Sequence, residues 1–124
     1  DDDGYLTALE VTRLDLCGTE LVTLSACDTG RGDIQRGEGV YGLQRALIVA
    51  GARSMLLSLW KVPDDATCDF MVRFYTLLKL GSGRYEALVA VQREFRNHSN
   101  PIWRDLFYWG AWQLIGDWRP IEGL

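Results

Sequence analysis

The sequence has 124 residues, of which 48% are hydrophobic and 24% charged, and its formal net charge is -4. This balance is typical of one soluble globular domain, and an acidic chain without a long Lys or Arg run argues against direct binding of nucleic acid. No apolar stretch predicts a membrane span or a secretory signal. We therefore expect a protein or small-molecule partner and no membrane association.

The three cysteines, Cys17, Cys27 and Cys68, are odd in number, widely spaced and without a Cys-x-x-Cys pair. This pattern is typical of reduced thiols in the cytosol rather than of a disulfide framework or a zinc site. We therefore predict a cytoplasmic protein without a metal or other cofactor. Because the chain begins with Asp1 rather than Met, we expect it to be part of a longer polypeptide, with an incomplete fold.

The first predicted elements are a short helix and a strand. Thr7 and Glu10 have the spacing of a capping box at a helix start. The near-continuous apolar run at 21–26 predicts a strand buried on both faces. A polar segment with several glycines, 28–38, follows it and predicts an exposed loop.

A helix at 40–50, ended by Gly51 as a left-handed cap, leads to a second buried strand at 54–60. Strand, helix and strand in this order predict parallel strands joined by a right-handed crossover. Both strands then end at one edge of the sheet, where ligands and chemistry collect in open α/β folds. Cys27 and Trp60 both reach this edge. Cys27 is placed like a nucleophile, although a small apolar residue that closes a strand would occupy the same position.

The second half of the sequence predicts two helices, at about 63–80 and 85–96, and a last strand at 109–115. Two helices in succession return the chain to the edge where the second strand ended, so we expect the last strand to run antiparallel. The fold class is therefore α/β. Three strands and four helices form part of a three-layer sandwich, whose missing neighbour lies beside 21–26.

Many short motifs follow one another along the chain at consistent spacing. They include Leu24-Ser25-Ala26-Cys27-Asp28-Thr29-Gly30, Gly37-Glu38-Gly39-Val40, Gly42-Leu43, Arg45-Ala46, Ala50-Gly51-Ala52, Ser58-Leu59-Trp60, Phe74-Tyr75 and Leu114-Ile115-Gly116-Asp117. Together these motifs resemble the CHAT family, caspase-like cysteine peptidases that are related to separase and often joined to helical repeats. The resemblance extends from about Leu6 over nearly all of the chain.

The resemblance implies a caspase-like three-layer αβα sandwich with a mostly parallel sheet, of which residues 1–124 are the C-terminal part. It also implies a cysteine endopeptidase that cleaves a protein substrate through a Cys/His dyad, with Cys27 as the nucleophile. The backbone N–H of Cys27 would then be one donor of the oxyanion hole. A helical-repeat regulatory domain is an implied partner.

In caspase relatives, the specificity pocket is lined by the residue two before the cysteine and by the end of the next strand. By resemblance these positions are Ser25 and 58–61. Acidic residues near the same edge would favour a basic substrate side chain, although Asp64 and Asp65 are also placed to cap a helix. The candidate substrate-binding residues are Ser25, Asp28, Ser58, Trp60, Lys61 and Asp64.

The chain departs from the family at the histidine, which CHAT proteins place upstream of the cysteine. None of the 26 residues before Cys27 is His. The sole histidine, His98, lies in a polar turn before the last predicted strand and is a weak candidate for the base. We therefore expect the base on an upstream segment or on a separate chain, so that this fragment alone is inactive.

Two other functions fit parts of the sequence. Residues 37–42 match Gly-x-Gly-x-x-Gly, with Asp64 about 20 residues later, as in a dinucleotide site; however, these glycines do not follow their strand directly. A non-catalytic interaction or scaffold module is the stronger alternative. It would present a Trp-rich region to a partner, although tryptophans beside a last strand more often pack against helices. These tryptophans are Trp103, Trp109, Trp112 and Trp118.

Overall fold

The computed structural model describes residues 16–24 and 38–124. In these ranges three strands form one sheet: β1 (Val22–Leu24), β2 (Ser54–Ser58) and β3 (Trp112–Gly116). Their order is β1-β2-β3; β1 pairs with β2 in parallel, and β3 pairs with β2 antiparallel. The predicted α/β class and the predicted strand directions are confirmed, whereas the predicted helix at Thr7 lies outside the described residues.

Four α-helices of the described ranges accompany the sheet: α1 (Glu38–Ala50), α2 (Asp64–Lys79), α3 (Arg84–Arg96) and the short α4 (Leu106–Trp109). A 3-10 helix, Pro101–Arg104, precedes α4. The prediction placed Trp109 in the last strand, but it ends α4. The Asp105 carboxylate accepts the N–H of Phe107 at 2.9 Å and caps this turn, and Gly110 ends it. The strand therefore begins only at Trp112.

Gly51 ends α1 as predicted. Its φ of +111° lies in the region that favours glycine. Its N–H donates to the carbonyls of Leu47 and Ile48 at 3.2 and 3.1 Å, which satisfies groups that the helix end leaves unpaired. A Cβ on Gly51 would also lie 2.9 Å from the backbone nitrogen of Cys17. The position therefore requires glycine for both its backbone angle and its close contact.

The two faces of the sheet carry separate cores because side chains of β2 alternate between them. Met55 and Leu57 pack against α1, whereas Leu56 packs against α2 and α3. The α1 core includes Ala46, Leu47, Ala50 and Ala52. The opposite core includes Phe70, Phe74, Leu78, Leu88, Val91, Phe95 and Trp112. Helices thus cover both faces, with one helix on the first and two on the second.

Every residue of β2 is buried, whereas each residue of β1 is only half-buried. The sequence predicted that this first strand is buried on both faces. The difference arises because, among the described residues, β1 has a neighbouring strand only on its β2 side. A hydrogen bond between the hydroxyls of Thr23 and Tyr75 joins β1 to α2.

Candidate functional site

The candidate site lies at the carboxyl edge of β1 and β2. In the parallel pair, Leu24 is opposite Leu57, so β1 and β2 end side by side. The loop from Ser58 to α2 leaves from the same edge. Cys27, Ser25 and Asp28, which the sequence assigns to this edge, lie outside the described residues.

Ser58 is the last residue of β2 and lies opposite Trp112 of β3. Its exposed fraction is 1%, because it shares the sheet face that α2 and α3 cover. Ser58 is therefore part of the packed interior, while the neighbouring Lys61 is exposed to solvent.

Trp60 is held in place by a residue that the sequence did not indicate. Its indole Nε1 donates to the carbonyl of Phe107 at 2.9 Å, and the two rings stack with centroids 6.3 Å apart and planes 18° apart. Leu59, Leu106 and Phe107 are all exposed. The ring that stacks on Trp60 therefore lies at the surface beside the end of β2. Asp105 was the available signal, because an Asp before an apolar run is a common helix cap.

Asp64 and Asp65 lie in the first turn of α2, and both are exposed. The predicted alternative role as helix caps is wrong for Asp64: the capping position is Pro63, which makes no side-chain hydrogen bond. Asp65 accepts the N–H of Ala66 at 2.8 Å. Both carboxylates lie near the positive end of the helix dipole, which stabilises negative charge.

His98 is engaged in local structure. Its Nδ1 accepts the N–H of Asn100 at 2.9 Å, and its Nε2 lies 3.7 Å from the Asp69 carboxylate. Its ring packs against Phe95 and Trp103, with centroid distances of 5.5 and 4.9 Å. A general base needs a free lone pair to take a proton. Because Asn100 occupies the lone pair of Nδ1, this geometry disfavours His98 as the base.

The remaining cysteines and the possible metal ligands include residues inside and outside this edge. Cys68 is exposed on α2, and Cys17 is exposed in the turn before β1. In the described ranges, 16–24 and 38–124, no group of three or more His, Cys, Asp or Glu residues is arranged to hold a metal ion. In the same ranges, no helix has the length and apolar character needed to cross a membrane.

The chain is similar to known proteins over most of its length. The family model described as CHAT domain matches residues 1–117. The chain belongs to the CHAT domain family. CHAT domains are related to caspase-like cysteine peptidases, so the resemblance drawn from the sequence motifs is confirmed at the level of the family.

Two curated relatives are similar to most of this chain. The chain is 34% identical over 117 residues to "Tetratricopeptide repeat protein 28" of Homo sapiens. It is 33% identical over 117 residues to the protein of the same name in Mus musculus. Each match covers 90% of this chain and 4% of the relative. No solved structure matches the chain.

The Trp-rich region of this CHAT domain is mostly internal. Trp112 is buried and stacks on Phe70 at a centroid distance of 5.6 Å. Trp103 and Trp109 are half-buried against the core, whereas Trp118 is 64% exposed. Of these four tryptophans, only Trp118 offers most of its ring to a partner.

Proposed function

We propose that this CHAT domain is the C-terminal part of a caspase-like endopeptidase domain that cleaves a protein substrate with Cys27 as the nucleophile. The observation that carries the proposal is the parallel register of β1 and β2. It supports a site in which the chain after Leu24 emerges beside Ser58 and Trp60. The three-layer arrangement of helices about the sheet agrees with the caspase-like sandwich that the motifs imply.

The reaction requires a thiolate and a base. A histidine takes the thiol proton of Cys27, and the thiolate attacks the scissile carbonyl to form a tetrahedral intermediate. The backbone N–H of Cys27 donates to the developing oxyanion. The intermediate then expels the amine, which takes the proton from the histidinium, and water hydrolyses the remaining thioester. The proposed histidine lies on an upstream segment or on another chain.

The proposed substrate-binding residues surround this nucleophile. Trp60, stacked on Phe107, supplies a rigid apolar wall, and Lys61 and Asp64 supply exposed charges. Ser25, Asp28 and the buried Ser58 complete the proposed set by family resemblance.

A basic residue is the proposed substrate preference at the scissile bond, because Asp28, Asp64 and Asp65 all follow the ends of the first two strands. A peptide library with Arg, Lys, Met or Asp at that position tests this preference. We expect faster cleavage after Arg and Lys than after Met and Asp. Equal rates for all four peptides would contradict it.

The proposal includes a cellular location and a set of partners. Three cysteines without a disulfide pattern favour the cytoplasm. Helical repeats are the proposed regulatory partner, because the printed name of both relatives describes a tetratricopeptide repeat protein. The protein substrate and the histidine-bearing segment are the other proposed partners; no nucleic acid or membrane is proposed.

Alkylation of the cysteines tests the proposal. Cys27 and Cys68 are alkylated over a pH series in the full-length gene product, with and without its binding partners, and each site is quantified by peptide mass spectrometry. A thiol activated by a histidine reacts well below pH ~8.5, the ordinary thiol pKa. We expect Cys27 to react at lower pH than Cys68. We also expect Cys27→Ala to abolish peptide cleavage, while the matched Cys68→Ala retains it.

A non-catalytic interaction module is the second candidate. The observation in its favour is that His98, the sole histidine of the chain, is committed to Asn100 and Asp69. This candidate predicts that Cys27 and Cys68 react alike at every pH, even with binding partners present, and that Cys27→Ala changes no activity. That result would overturn the peptidase proposal.

A further inference from the structure

Arg84 is a buried charge at the edge of the sheet opposite the candidate site. It is the first residue of α3, and its exposed fraction is 1%. Burying a guanidinium is costly unless hydrogen bonds and an opposite charge compensate it. The hydrogen-bond partners of Arg84 therefore show which elements this buried side chain joins.

The guanidinium of Arg84 contacts the ends of all three strands. Nη1 donates to the carbonyls of Glu20 and Asp117 at 3.0 and 3.3 Å and to the hydroxyl of Ser54 at 2.9 Å. Nη2 pairs with the Glu20 carboxylate at 2.8 Å. Glu20 comes just before β1, Ser54 begins β2, and Asp117 follows β3. One side chain thus joins the three strands.

β1 has the shortest pairing of the three described strands, with three paired residues against five between β2 and β3. It pairs with β2 over three residues, from Val22 to Leu24. At its amino end, the Glu20 carbonyl accepts from both Arg84 and the Ser54 hydroxyl, so Arg84 ties Glu20 to the first residue of β2. A slip of one residue in a strand turns each side chain to the opposite face. Fixing Glu20 therefore fixes the register of β1.

We infer that Arg84 is a positioning residue for the proposed nucleophile: it sets the register of β1 on β2, and β1 leads directly into the segment that carries Cys27. This inference rests on the proposed peptidase function. It concerns placement alone, since Arg84 lies at the far end of the strands and touches neither the nucleophile nor the substrate.

The test compares two arginine variants in the full-length gene product. Arg84→Lys keeps the charge and loses the fork of donors. Arg73→Lys is the matched control, because Arg73 also forms a two-bond pair, with Glu94, but contacts α3 rather than β1. The readout is the alkylation rate of Cys27 relative to Cys68 in the same molecule, measured across pH.

We expect Arg84→Lys to lower the relative rate of Cys27 by roughly 10- to 100-fold, since a displacement of about 1 Å can reduce a reaction by that much. Its alkylation profile should also move toward that of Cys68. The ratio is compared only under conditions in which circular dichroism shows both variants to be folded, because unfolded molecules would react alike at Cys27 and Cys68. Arg73→Lys should leave both the ratio and the profile unchanged.

Two results separate this inference from the proposed function. A preferentially reactive Cys27 whose ratio is unchanged by Arg84→Lys would overturn the positioning role and leave the peptidase proposal intact. A wild-type Cys27 without preferential reactivity would overturn the peptidase proposal. Amide hydrogen exchange at 21–24 then still tests whether Arg84 sets the register of β1. Equal exchange rates in Arg84→Lys and Arg73→Lys would overturn that role, and faster exchange in Arg84→Lys would support it.

A milder variant covers the case in which Arg84→Lys does not fold. Ser54→Ala removes one of the four Arg84 contacts and leaves the charge pair with Glu20. We expect the Cys27 ratio to fall in the same direction by a smaller factor. An unchanged ratio in Ser54→Ala would overturn the inference.

Discussion

Gly51 ends α1 and packs against the turn that precedes β1. Its positive φ closes the helix, and its missing side chain leaves room for the backbone of Cys17. Gly81 also has a positive φ, +96°, but nothing lies within 4 Å of the place that a Cβ would occupy. Comparing substitutions at the two glycines therefore separates the cost of backbone strain from the cost of a close contact.

Gly51→Ala should destabilise the protein by more than Gly81→Ala. Strain at a positive φ costs about 1–3 kcal/mol in either variant, and only Gly51→Ala adds the clash with Cys17. Urea denaturation of the two variants measures the difference in the free energy of unfolding. Equal losses would mean that the turn at Cys17 moves aside without cost.

Trp112 and Trp118 form a second residue-scale comparison. Trp112 is 4% exposed and stacks on Phe70, whereas Trp118 lies mostly in solvent. Trp112→Ala should cost about 3–5 kcal/mol in unfolding free energy, because it leaves a cavity in the core, and Trp118→Ala should be nearly neutral. Thermal denaturation checks both variants. Equal losses would contradict the assignment of Trp118 as the one open tryptophan of the four.

At the scale of elements, Arg73 of α2 and Glu94 of α3 join the two helices that cover one face of the sheet. The guanidinium donates two hydrogen bonds to the carboxylate, at 2.9 and 3.0 Å. The hydrogen bond from Arg73 lowers the pKa of Glu94 below its usual value. A lowered carboxyl pKa stabilises the fold above the unfolded-state pKa, and this contribution is lost as the pH falls through the folded-state value.

Glu94→Gln should therefore lower stability at neutral pH and make little difference in acid. Both side chains are partly exposed, so we expect only about 0.5 kcal/mol at pH ~7, and a difference that shrinks as the pH falls below about 4.3, the ordinary pKa of Glu. Chemical denaturation of both proteins over this pH range measures the change. Arg73→Met is the matched control and should cost a similar amount at pH ~7. Because both substitutions break the same ion pair, the double variant should lose less unfolding free energy than the sum of the two single losses. A difference that persists at low pH would contradict this assignment.

At the scale of the whole molecule, burial is uneven across the sheet. β2 is buried along its length between two cores, whereas β1 is half-buried. α2 and α3 share the larger core with Leu56 and Trp112, so the buried apolar contacts of the described residues lie mainly around β2 and β3 rather than β1. Regions with fewer buried apolar contacts open more readily.

Amide hydrogen exchange should accordingly be slowest in β2 and faster in β1. We expect protection in β2 to report global unfolding, and protection at 22–24 to report a smaller, local opening. Mass spectrometry with peptide resolution measures both. Equal protection in β1 and β2 would show that other contacts hold β1 as firmly as the core holds β2.

The order of the main elements and the family were predictable from the amino-acid sequence. Periodic apolar residues predicted α2 and α3 and their buried positions, such as Phe70, Phe74 and Phe95, because helical spacing is a local property. The glycine cap at Gly51 was predictable for the same reason. The strand directions followed from the order of the elements, and the motifs identified the CHAT family.

The contacts between residues far apart in the chain were not predictable in this way. The stacking of Trp60 on Phe107 joins residues 47 positions apart, and Arg84 meets Glu20 across 64 positions. For an arginine or a histidine near a strand or helix end, the neighbouring sequence does not indicate which residue the side chain contacts. The predicted helix therefore began at residue 85, one residue after Arg84, and His98 was predicted to lie in a polar turn. Packing buried the first and placed the second 3.7 Å from the Asp69 carboxylate of α2, because such contacts depend on how the elements are brought together.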